Sequence, residues 1–123
     1  MKIHICDNGN DKKMFLAFRT KIYREKNLYI DNNYFMLKEI FSEKLHFTKS
    51  VFIVPVMVVD DNESILCEGI VAVADNLPEY VQLCFFEALE GVKEAVNLLV
   101  EEAVKIGRNK GCKRMVIGFT NFL

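Results

Sequence analysis

The segment from Tyr80 to Gly111 constrains the fold of this chain most, because it joins two kinds of element through a very short connection. Its sequence is YVQLCFFEALEGVKEAVNLLVEEAVKIGRNKG. The apolar run Tyr80–Phe86 predicts a buried strand, Ala88–Gly91 a loop, and the remainder a long amphipathic helix. Free backbone N–H groups and the positive end of the helix dipole meet at such a loop. The segment therefore predicts a place where an anion can bind.

The helix of this segment has one apolar stripe and charges that suit its dipole. The stripe consists of Val92, Ala95, Val96, Leu99, Ala103 and Ile106. Glu90 and Glu94 lie at its start, and we expect its C-terminal stop at Gly107 or Gly111. Lys113–Gly118 then predicts a strand, which a right-handed crossover places parallel to the strand that opens the segment.

Two apolar runs precede this segment and predict strands that pair with it. Val51–Val59 is apolar without interruption, which is typical of a strand covered on both faces, and Pro55 within it suggests an edge position or a bulge. The polar residues Asp60–Ser64 predict a hairpin turn. Ile65–Ala74 is then the returning strand, with a bulge expected at Glu68-Gly69. Together with the opening strand of the segment, these runs predict an antiparallel meander.

The N-terminal part of the chain predicts one strand and two helices. Lys2–Cys6 alternates as a short strand does, and Asn10 or Asp11 can cap the helix that follows. In that helix an apolar face is formed by Met14, Phe15, Phe18, Ile22 and Tyr23, and we assign a solvated face to Lys12, Lys13, Arg19 and Lys21. A polar break at 31–33 opens a second helix, whose apolar side is Tyr34, Leu37, Ile40, Phe41 and Leu45.

The predicted order is β-α-α-β-β-β-α-β, and the fold class is α+β. We expect a mixed, mainly antiparallel central sheet flanked by helices, in a single domain over residues 1–123. The chain has 51% hydrophobic residues and a net charge of −1, so its charge balance steers it toward neither nucleic acid nor an anionic membrane. The N-terminal apolar run is too short for secretion, and no run is long enough to span a bilayer. A cytoplasmic location is expected.

The cysteines and histidines do not predict a site of their own. The four cysteines, Cys6, Cys67, Cys84 and Cys112, are scattered within apolar runs and form no CxxC pair, so we expect no metal site. Cys84 lies on the central strand, and we expect it to be buried and inert. His4 and His46 have no serine or cysteine partner at a recognisable spacing, and we interpret them as ordinary core or surface residues.

The element order resembles the first two thirds of the GNAT fold, which is that of the acyl-coenzyme-A-dependent N-acetyltransferases. Three stretches carry a narrower similarity, to a group of uncharacterised GNAT-like bacterial proteins. They are FLAFRTKIYREKNLYID (Phe15–Asp31), CFFEALEGVKEAVNLLVEEAVKIGRNKGCKR, and Thr120-Asn121-Phe122. The resemblance implies transfer of an acetyl group from acetyl-CoA to a small-molecule amine.

The resemblance also implies where CoA would lie. In GNAT proteins the fourth strand carries a bulge and splays from the fifth, and the pantetheine arm lies in the resulting V. The strands here would be Tyr80–Phe86 and Lys113–Thr120, and the pyrophosphate would bind the loop and helix start. The cofactor-binding residues implied are Leu83, Phe85, Phe86, Leu89, Glu90, Gly91, Val92 and Lys93. Glu87, at the mouth of the V, is the best-placed candidate base, and a helix-start acid is the alternative interpretation. Tyr23, Tyr29 and Tyr34 flank the break where such proteins place acceptor-binding residues; core and rim packing explains them equally well.

Two departures keep a second function open. The family loop follows Q/R-x-x-G-x-G/A, whereas here Gly91 stands alone among Glu87, Glu90 and Glu94. Acidic residues at a helix start also stabilise the helix, without any phosphate. The chain ends at Leu123, just after the fifth predicted strand, so it could be a fragment of an acetyltransferase. The alternative is a non-catalytic GNAT-like binding or dimerisation module. Either way an open edge strand favours a homodimer.

Overall fold

The strands and helices follow each other in the order that the sequence predicts. The structure is a computed structural model that describes residues 1–25, 34–42 and 50–118. Its elements are β1 (Lys2–Ile5), α1 (Gly9–Glu25), α2 (Tyr34–Ser42), β2 (Val51–Val59), β3 (Ile65–Ala74), β4 (Tyr80–Ala88), α3 (Lys93–Asn109) and β5 (Arg114–Ile117). Four parts of the chain that the sequence analysis singled out lie outside the described residues: Tyr29, Leu45, His46 and the stretch Thr120-Asn121-Phe122.

The sheet has five strands in the order β1-β2-β3-β4-β5. β1, β2, β3 and β4 pair antiparallel with their neighbours, and β5 pairs parallel with β4 after the crossover through α3. Both the predicted meander and the parallel closing strand are confirmed. The turn between β2 and β3 is also as predicted, because the Asp60 carboxylate accepts bonds of 2.9 Å from the backbone N–H groups of Asn62 and Ser64.

Pro55 lies in an interior strand, which differs from the predicted edge or bulge. β2 is flanked by β1 and β3, and its irregularity falls at Val58/Val59. The last β1–β2 pair is Ile5 with Val56, and just beyond it the Cys6 N–H donates to the Pro55 carbonyl at 3.0 Å. In an antiparallel ladder the N–H and C=O of one residue point to the same side. The missing donor of Pro55 therefore faces the place where β1 ends, and costs the sheet little.

Two apolar layers cover the sheet, one on each face. The layer under α3 includes Val56, Val58, Cys67, Val71, Val81, Leu83, Ala95, Leu99 and Ala103. The layer under α1 and α2 includes Cys6, Phe15, Leu37, Ile40, Met57, Ile70, Cys84 and Phe85. Burial of apolar surface stabilises both layers, at about 25 cal/mol per Å².

α3 uses its two predicted stop glycines differently. Gly111 has φ +81° and ends the helix, with the Cys112 N–H bonded to the Gly107 carbonyl at 2.9 Å and the Gly111 N–H to the Arg108 carbonyl at 3.0 Å. This is the Schellman arrangement, which a left-handed glycine favours. Gly107 lies inside the helix instead. Close packing explains the glycine there, because a Cβ would come within 2.6 Å of the Val81 Cβ. Of the predicted stripe, Ala95, Leu99 and Ala103 are buried, and Val92, Val96 and Ile106 pack half-buried against the same layer.

α1 departs from its predicted pattern at two positions. Its cap is Asn8 rather than Asn10 or Asp11, since the Asn8 Oδ1 accepts the Asp11 N–H at 2.9 Å and the Asp11 carboxylate reaches back to the Asp7 N–H at 3.3 Å. Arg19 is fully buried, whereas we predicted it on the solvated face. The apolar residues Phe15, Phe18 and Ile22 are buried as predicted.

Candidate functional site

β4 and β5 stop pairing halfway along β4. Their pairs run from Tyr80 with Arg114 to Leu83 with Ile117, and the Gly118 N–H donates to the Leu83 carbonyl at 2.9 Å. β4 continues from Cys84 to Ala88, beyond its last described pair with β5. The backbone of this second half of β4 therefore faces β3 alone among the described residues.

β4 carries a bulge where this second half begins. Between the pairs Ile70–Cys84 and Glu68–Glu87, β3 advances two residues while β4 advances three. The extra residue lies in β4, where Phe85 has φ +52°, a conformation that a bulky side chain rarely adopts. The prediction of a bulge at Glu68-Gly69 identified the place but the wrong strand. Gly69 lies opposite the bulge, and a Cβ on it would come within 2.7 Å of Leu83 Cδ1.

The bulge exchanges the two faces of β4. Val81 and Leu83 belong to the layer under α3, whereas the consecutive residues Cys84 and Phe85 both belong to the layer under α1. Phe86 and Ala88 then pack on the α3 side again. Since strand residues alternate, Glu87 faces α1. In a regular strand of the same sequence it would point into the apolar layer under α3.

Glu87 meets a buried arginine on the α1 side. The Arg19 Nη1 lies 3.4 Å from the Glu87 Oε1, and the side chains are 0% and 14% exposed. The Arg19 Nη2 donates to the Tyr23 hydroxyl at 3.0 Å, and the guanidinium lies 4.9 Å from the centre of the Tyr23 ring and 5.7 Å from that of Phe85. Glu68 faces Glu87 directly across β3 and β4 and is fully buried. Arg19, Glu68 and Glu87 are called the carboxylate cluster below.

The sequence analysis missed this cluster apart from Glu87, although two signals for it exist. Arg19 follows Phe15 by four residues and precedes Ile22 by three, so it lies on the apolar stripe of α1. Glu68 interrupts the apolar run ILCEGIVAVA, whose other residues are buried or half-buried. Glu87 lies within β4 rather than at the start of α3, so the interpretation of it as a helix-start acid is wrong.

Burial raises the pKa of the Glu68 carboxyl well above its usual range. The charge of Arg19 works in the opposite direction, and the negative charge of Glu87 adds to the upward shift. A carboxyl in this setting stays protonated to a higher pH than an exposed one, because a buried charge needs a partner of its own. One arginine faces two carboxyl groups, so a neutral Glu68 leaves the cluster with balanced charge.

The loop after β4 leads into a helix start without a side-chain cap. The Leu89 N–H still bonds to the Leu66 carbonyl at 3.0 Å, and Gly91 turns the chain with φ +73°. A Cβ on Gly91 would meet nothing within 4 Å, so its glycine serves the backbone conformation rather than close packing. The N-cap residue Val92 gives α3 no side-chain hydrogen bond. The first backbone N–H groups of α3 are therefore available to an anion.

The predicted cofactor-binding residues fall into two groups. Leu83 and Phe85 are fully buried, so their side chains serve the apolar layers. Phe86 is half-buried near the end of β4. The other five lie in the loop and at the helix start, where Leu89 and Val92 are half-buried and Glu90, Gly91 and Lys93 are exposed. The ion pair with Arg19 moves the Glu87 charge away from this loop, which leaves Glu90 and Glu94 as its acidic residues.

The remaining candidates of the sequence analysis occupy ordinary positions. Burial raises the pKa of Cys84 to about 12, so this thiol is inert as predicted. The His4 Nε2 lies 3.0 Å from the Asp11 Oδ1. Tyr23 packs beside Arg19 and belongs to the rim of the carboxylate cluster, while the Tyr34 side chain lies outside the described part of the chain. Within the same part, no three potential metal-ligating side chains come together, and no helix is both long and apolar enough to cross a membrane.

Comparisons with known proteins give one consistent result. No protein-family profile and no curated protein sequence matches the chain. Among solved structures, a GNAT-family acetyltransferase from Staphylococcus aureus Mu50 superposes with a TM-score of 0.67 at 16% identity, over 95% of this chain and 72% of that one. A predicted acetyltransferase from Clostridium acetobutylicum, solved with acetyl-CoA, gives 0.67 at 11% identity, over 98% and 81%. An aminoglycoside N-acetyltransferase in complex with CoA gives 0.59 at 13% identity, over 95% and 78%.

These similarities agree with the geometry of β4. The bulge in the fourth strand and the parallel fifth strand that pairs with only its first half are the features that the sequence resemblance implied. Structural similarity at such low sequence identity establishes the fold and leaves the activity open. The chain has a GNAT-like α+β fold.

Proposed function

We propose that this chain is an acyl-CoA-dependent N-acyltransferase that moves an acetyl group from acetyl-CoA to a small-molecule amine. The observation that carries the proposal is the combination of the β4 bulge with an uncapped helix start directly after it. Phe85 holds a backbone conformation that costs on the order of 1–3 kcal/mol, and such strain is concentrated at functional sites. Solved neighbours with acetyl-CoA and CoA bound support the same ligand here.

The residues of the loop fit the phosphates of CoA. The backbone N–H groups at the start of α3 would hold the pyrophosphate, and the exposed Lys93 offers a positive charge beside them. Glu90 and Glu94 are exposed, so salt and water screen their repulsion of an anion. When bound, acetyl-CoA would supply the thioester that reacts with the acceptor amine.

Glu87 is the residue that we propose as the base. Its carboxylate is partly accessible, and it lies beyond the point where β4 and β5 stop pairing. The ion pair with Arg19 on the α1 side fixes its orientation. An amine reacts only as the free base, so its ammonium form must first lose a proton, which the Glu87 carboxylate would take up. An aminoglycoside N-acetyltransferase with this fold, solved with a bisubstrate analogue, supports a small-molecule amine as the acceptor class.

A thermal-shift titration with CoA tests the proposal. Ligand at about 100 times its Kd stabilises a protein by about 2.7 kcal/mol, which for a chain of this size raises Tm by roughly 10 °C. The informative variant is Gly91→Ala, because a Cβ disfavours φ +73° by about 1–2 kcal/mol and so displaces the loop. We expect CoA affinity to fall about tenfold.

Gly111→Ala is the matched control for this experiment. Gly111 has φ +81° and open space around its Cβ position, as Gly91 has, but it lies at the other end of α3. It should lower Tm by a similar amount and leave CoA affinity unchanged. Absence of any shift at millimolar CoA would overturn the proposal, and so would equal loss of affinity in both variants.

A non-catalytic dimerisation module is the second candidate function, and one observation favours it. Among the described residues β5 is an edge strand, and Ile117 on it is 52% exposed. An edge strand with an exposed apolar residue offers backbone hydrogen bonds to a second copy of the chain. Sedimentation over a range of concentrations tests the homodimer, and a monomer throughout would contradict it. A cytoplasmic location stays a prediction from the sequence.

A further inference from the structure

Glu68 is a buried carboxyl group in the described part of the chain that lacks hydrogen-bond partners. It is fully buried, and neither of its carboxyl oxygens has a hydrogen-bond partner among the described residues. A buried polar group without a partner costs about 1–3 kcal/mol, and a buried charge costs more. A glutamate at this position therefore calls for a physical role.

The neighbours of Glu68 define what that role can be. Its direct partner across the sheet is Glu87, and such pairs have Cβ atoms about 4.5–5.5 Å apart. On the other side of the same strand Met57 is its apolar partner in β2. Arg19 from α1 is the positive charge that acts on it. Cys6 and Cys67 lie close enough to sense its charge, and burial raises the pKa of each to about 12, so both are neutral.

The charges of the cluster cannot balance with both carboxyl groups ionised. Arg19 is fully buried and contributes one positive charge, and it forms an ion pair with Glu87 at 3.4 Å. The two carboxyl groups differ in access to water, since Glu87 is 14% exposed and Glu68 is not exposed at all. Desolvation disfavours the charged form of the more buried group. When two carboxyl groups compete for one cation, the proton therefore goes to Glu68.

We propose that Glu68 and Glu87 form one coupled carboxyl pair over Arg19, which holds a single proton on Glu68 near neutral pH and leaves Glu87 ionised. For Glu87 as the base, this rests on the proposed function. Glu68 is then a positioning residue. Its neutral carboxyl leaves the guanidinium to Glu87, whereas an ionised Glu68 would compete for Arg19 and add a repulsive charge beside Glu87.

The pH dependence of stability tests the pair without any ligand. A carboxyl with a raised pKa in the folded protein binds a proton that the unfolded chain releases above a pH of about 4.3. Stability is therefore lost as pH rises from there through the raised pKa, and one proton corresponds to a tenfold loss in the folding equilibrium constant per pH unit. Glu68→Gln, which imitates the neutral carboxyl, should remove this dependence and exceed the wild-type stability increasingly with pH.

Glu87→Gln is the matched variant. It leaves Arg19 with Glu68 as its carboxyl partner, so Glu68 should ionise nearer the usual range and the pH dependence should weaken. Glu68→Gln and wild type with parallel stability curves would overturn the proposal. If Glu68→Gln does not fold, an NMR titration of glutamate carboxyl carbons in the wild type decides. One carboxyl should titrate well above the others, and its absence would overturn the pair.

Turnover separates the two proposals. If CoA binds and acetyl transfer occurs, the alkaline side of the pH profile should shift in Glu68→Gln, which a merely structural glutamate would not cause. A confirmed carboxyl pair in a chain that binds no CoA would sink the acyltransferase and keep the pair. CoA-dependent turnover with identical pH profiles in wild type and Glu68→Gln would keep the acyltransferase and overturn the carboxyl pair.

Discussion

The two faces of the sheet solve the same packing problem with different chemistry. Under α3 the sheet meets small and branched apolar residues, such as Ala95, Leu99 and Ala103, and the helix approaches so closely that Gly107 touches Val81. Under α1 the apolar residues are joined by two buried charged residues, Arg19 and Glu68. The α3 face depends on shape, and the α1 face depends on charge balance as well. The stability of the α1 face should therefore depend on pH more than that of the α3 face.

Removal of the buried cation should give the largest loss. Arg19→Met keeps most of the side-chain volume and leaves two carboxyl groups facing each other without their cation. Breaking a buried ion pair in this way costs about 3–5 kcal/mol. Urea denaturation at neutral pH measures it, with Lys13→Met on the exposed face of α1 as the control, expected within about 0.5 kcal/mol of wild type.

The same variant should recover in acid. Well below the ordinary glutamate pKa of about 4.3, carboxyl groups without a cation are protonated in the folded and the unfolded chain, so the missing cation no longer matters. A loss that stays constant between neutral and acidic pH would show that Arg19 acts through packing alone.

A methyl group at the α3 contact should give an intermediate loss. Gly107→Ala places a Cβ within 2.6 Å of the Val81 Cβ, which a rotamer change cannot relieve. Overpacking costs about 1–3 kcal/mol, and the higher helix propensity of alanine returns up to about 1 kcal/mol. We expect a net loss of about 1–2 kcal/mol at every pH. Gly9→Ala, where a Cβ meets nothing within 4 Å, should be neutral or stabilising.

The smallest effect on stability should come from substitution of Asp11, a carboxylate in α1 outside the carboxylate cluster. Burial works against ionisation of Asp11, but the Asp7 N–H and His4 outweigh it and lower its pKa. Its contribution is therefore present above the ordinary pKa of about 3.9 and is lost as pH falls through the lowered value. Asp11→Asn should lower Tm at neutral pH, and its curve should meet that of wild type in acid. Curves that stay parallel would contradict this. Toward neutral pH, Asp11→Asn should fall below wild type, whereas Glu68→Gln should rise above it.

Most of the fold follows from the sequence because local patterns decide it. The strands β2, β3 and β4 are apolar runs between turn residues, and α3 has a 3.6-residue period and a glycine at its end, so each could be predicted within a few residues. Arg19 could not be placed in the same way. Its position on the apolar stripe of α1 predicts burial, whereas its charge predicts exposure to solvent. Its ion-pair partner Glu87, which favours burial, lies sixty-eight residues later in the chain, so local patterns do not reveal it.

The sequence predicts the irregularity in the sheet and misses the carboxylate cluster beside it. Gly69 marked the irregularity in the sheet, but a glycine that permits a bulge opposite it does not say which strand holds the extra residue. Nothing in CFFEA indicates that Phe85 takes a positive φ, because that conformation is imposed by the strands on either side. Glu87 was therefore assigned to the right end of β4 with the wrong neighbours.

The bulge in β4 also limits how this strand can change in evolution. Because of the bulge, every side chain from Phe86 to Ala88 faces the side of the sheet opposite to the one that a regular strand of the same sequence would give it. If the same nine residues formed a regular strand, the Glu87 carboxylate would point into the apolar layer beneath α3, whereas deletion of the one extra residue would leave it on the α1 side. A substitution changes one side chain, whereas straightening β4 without a deletion would reverse Phe86, Glu87 and Ala88 together. The positive φ at Phe85 should therefore be more strictly preserved than the identity of the residues around it.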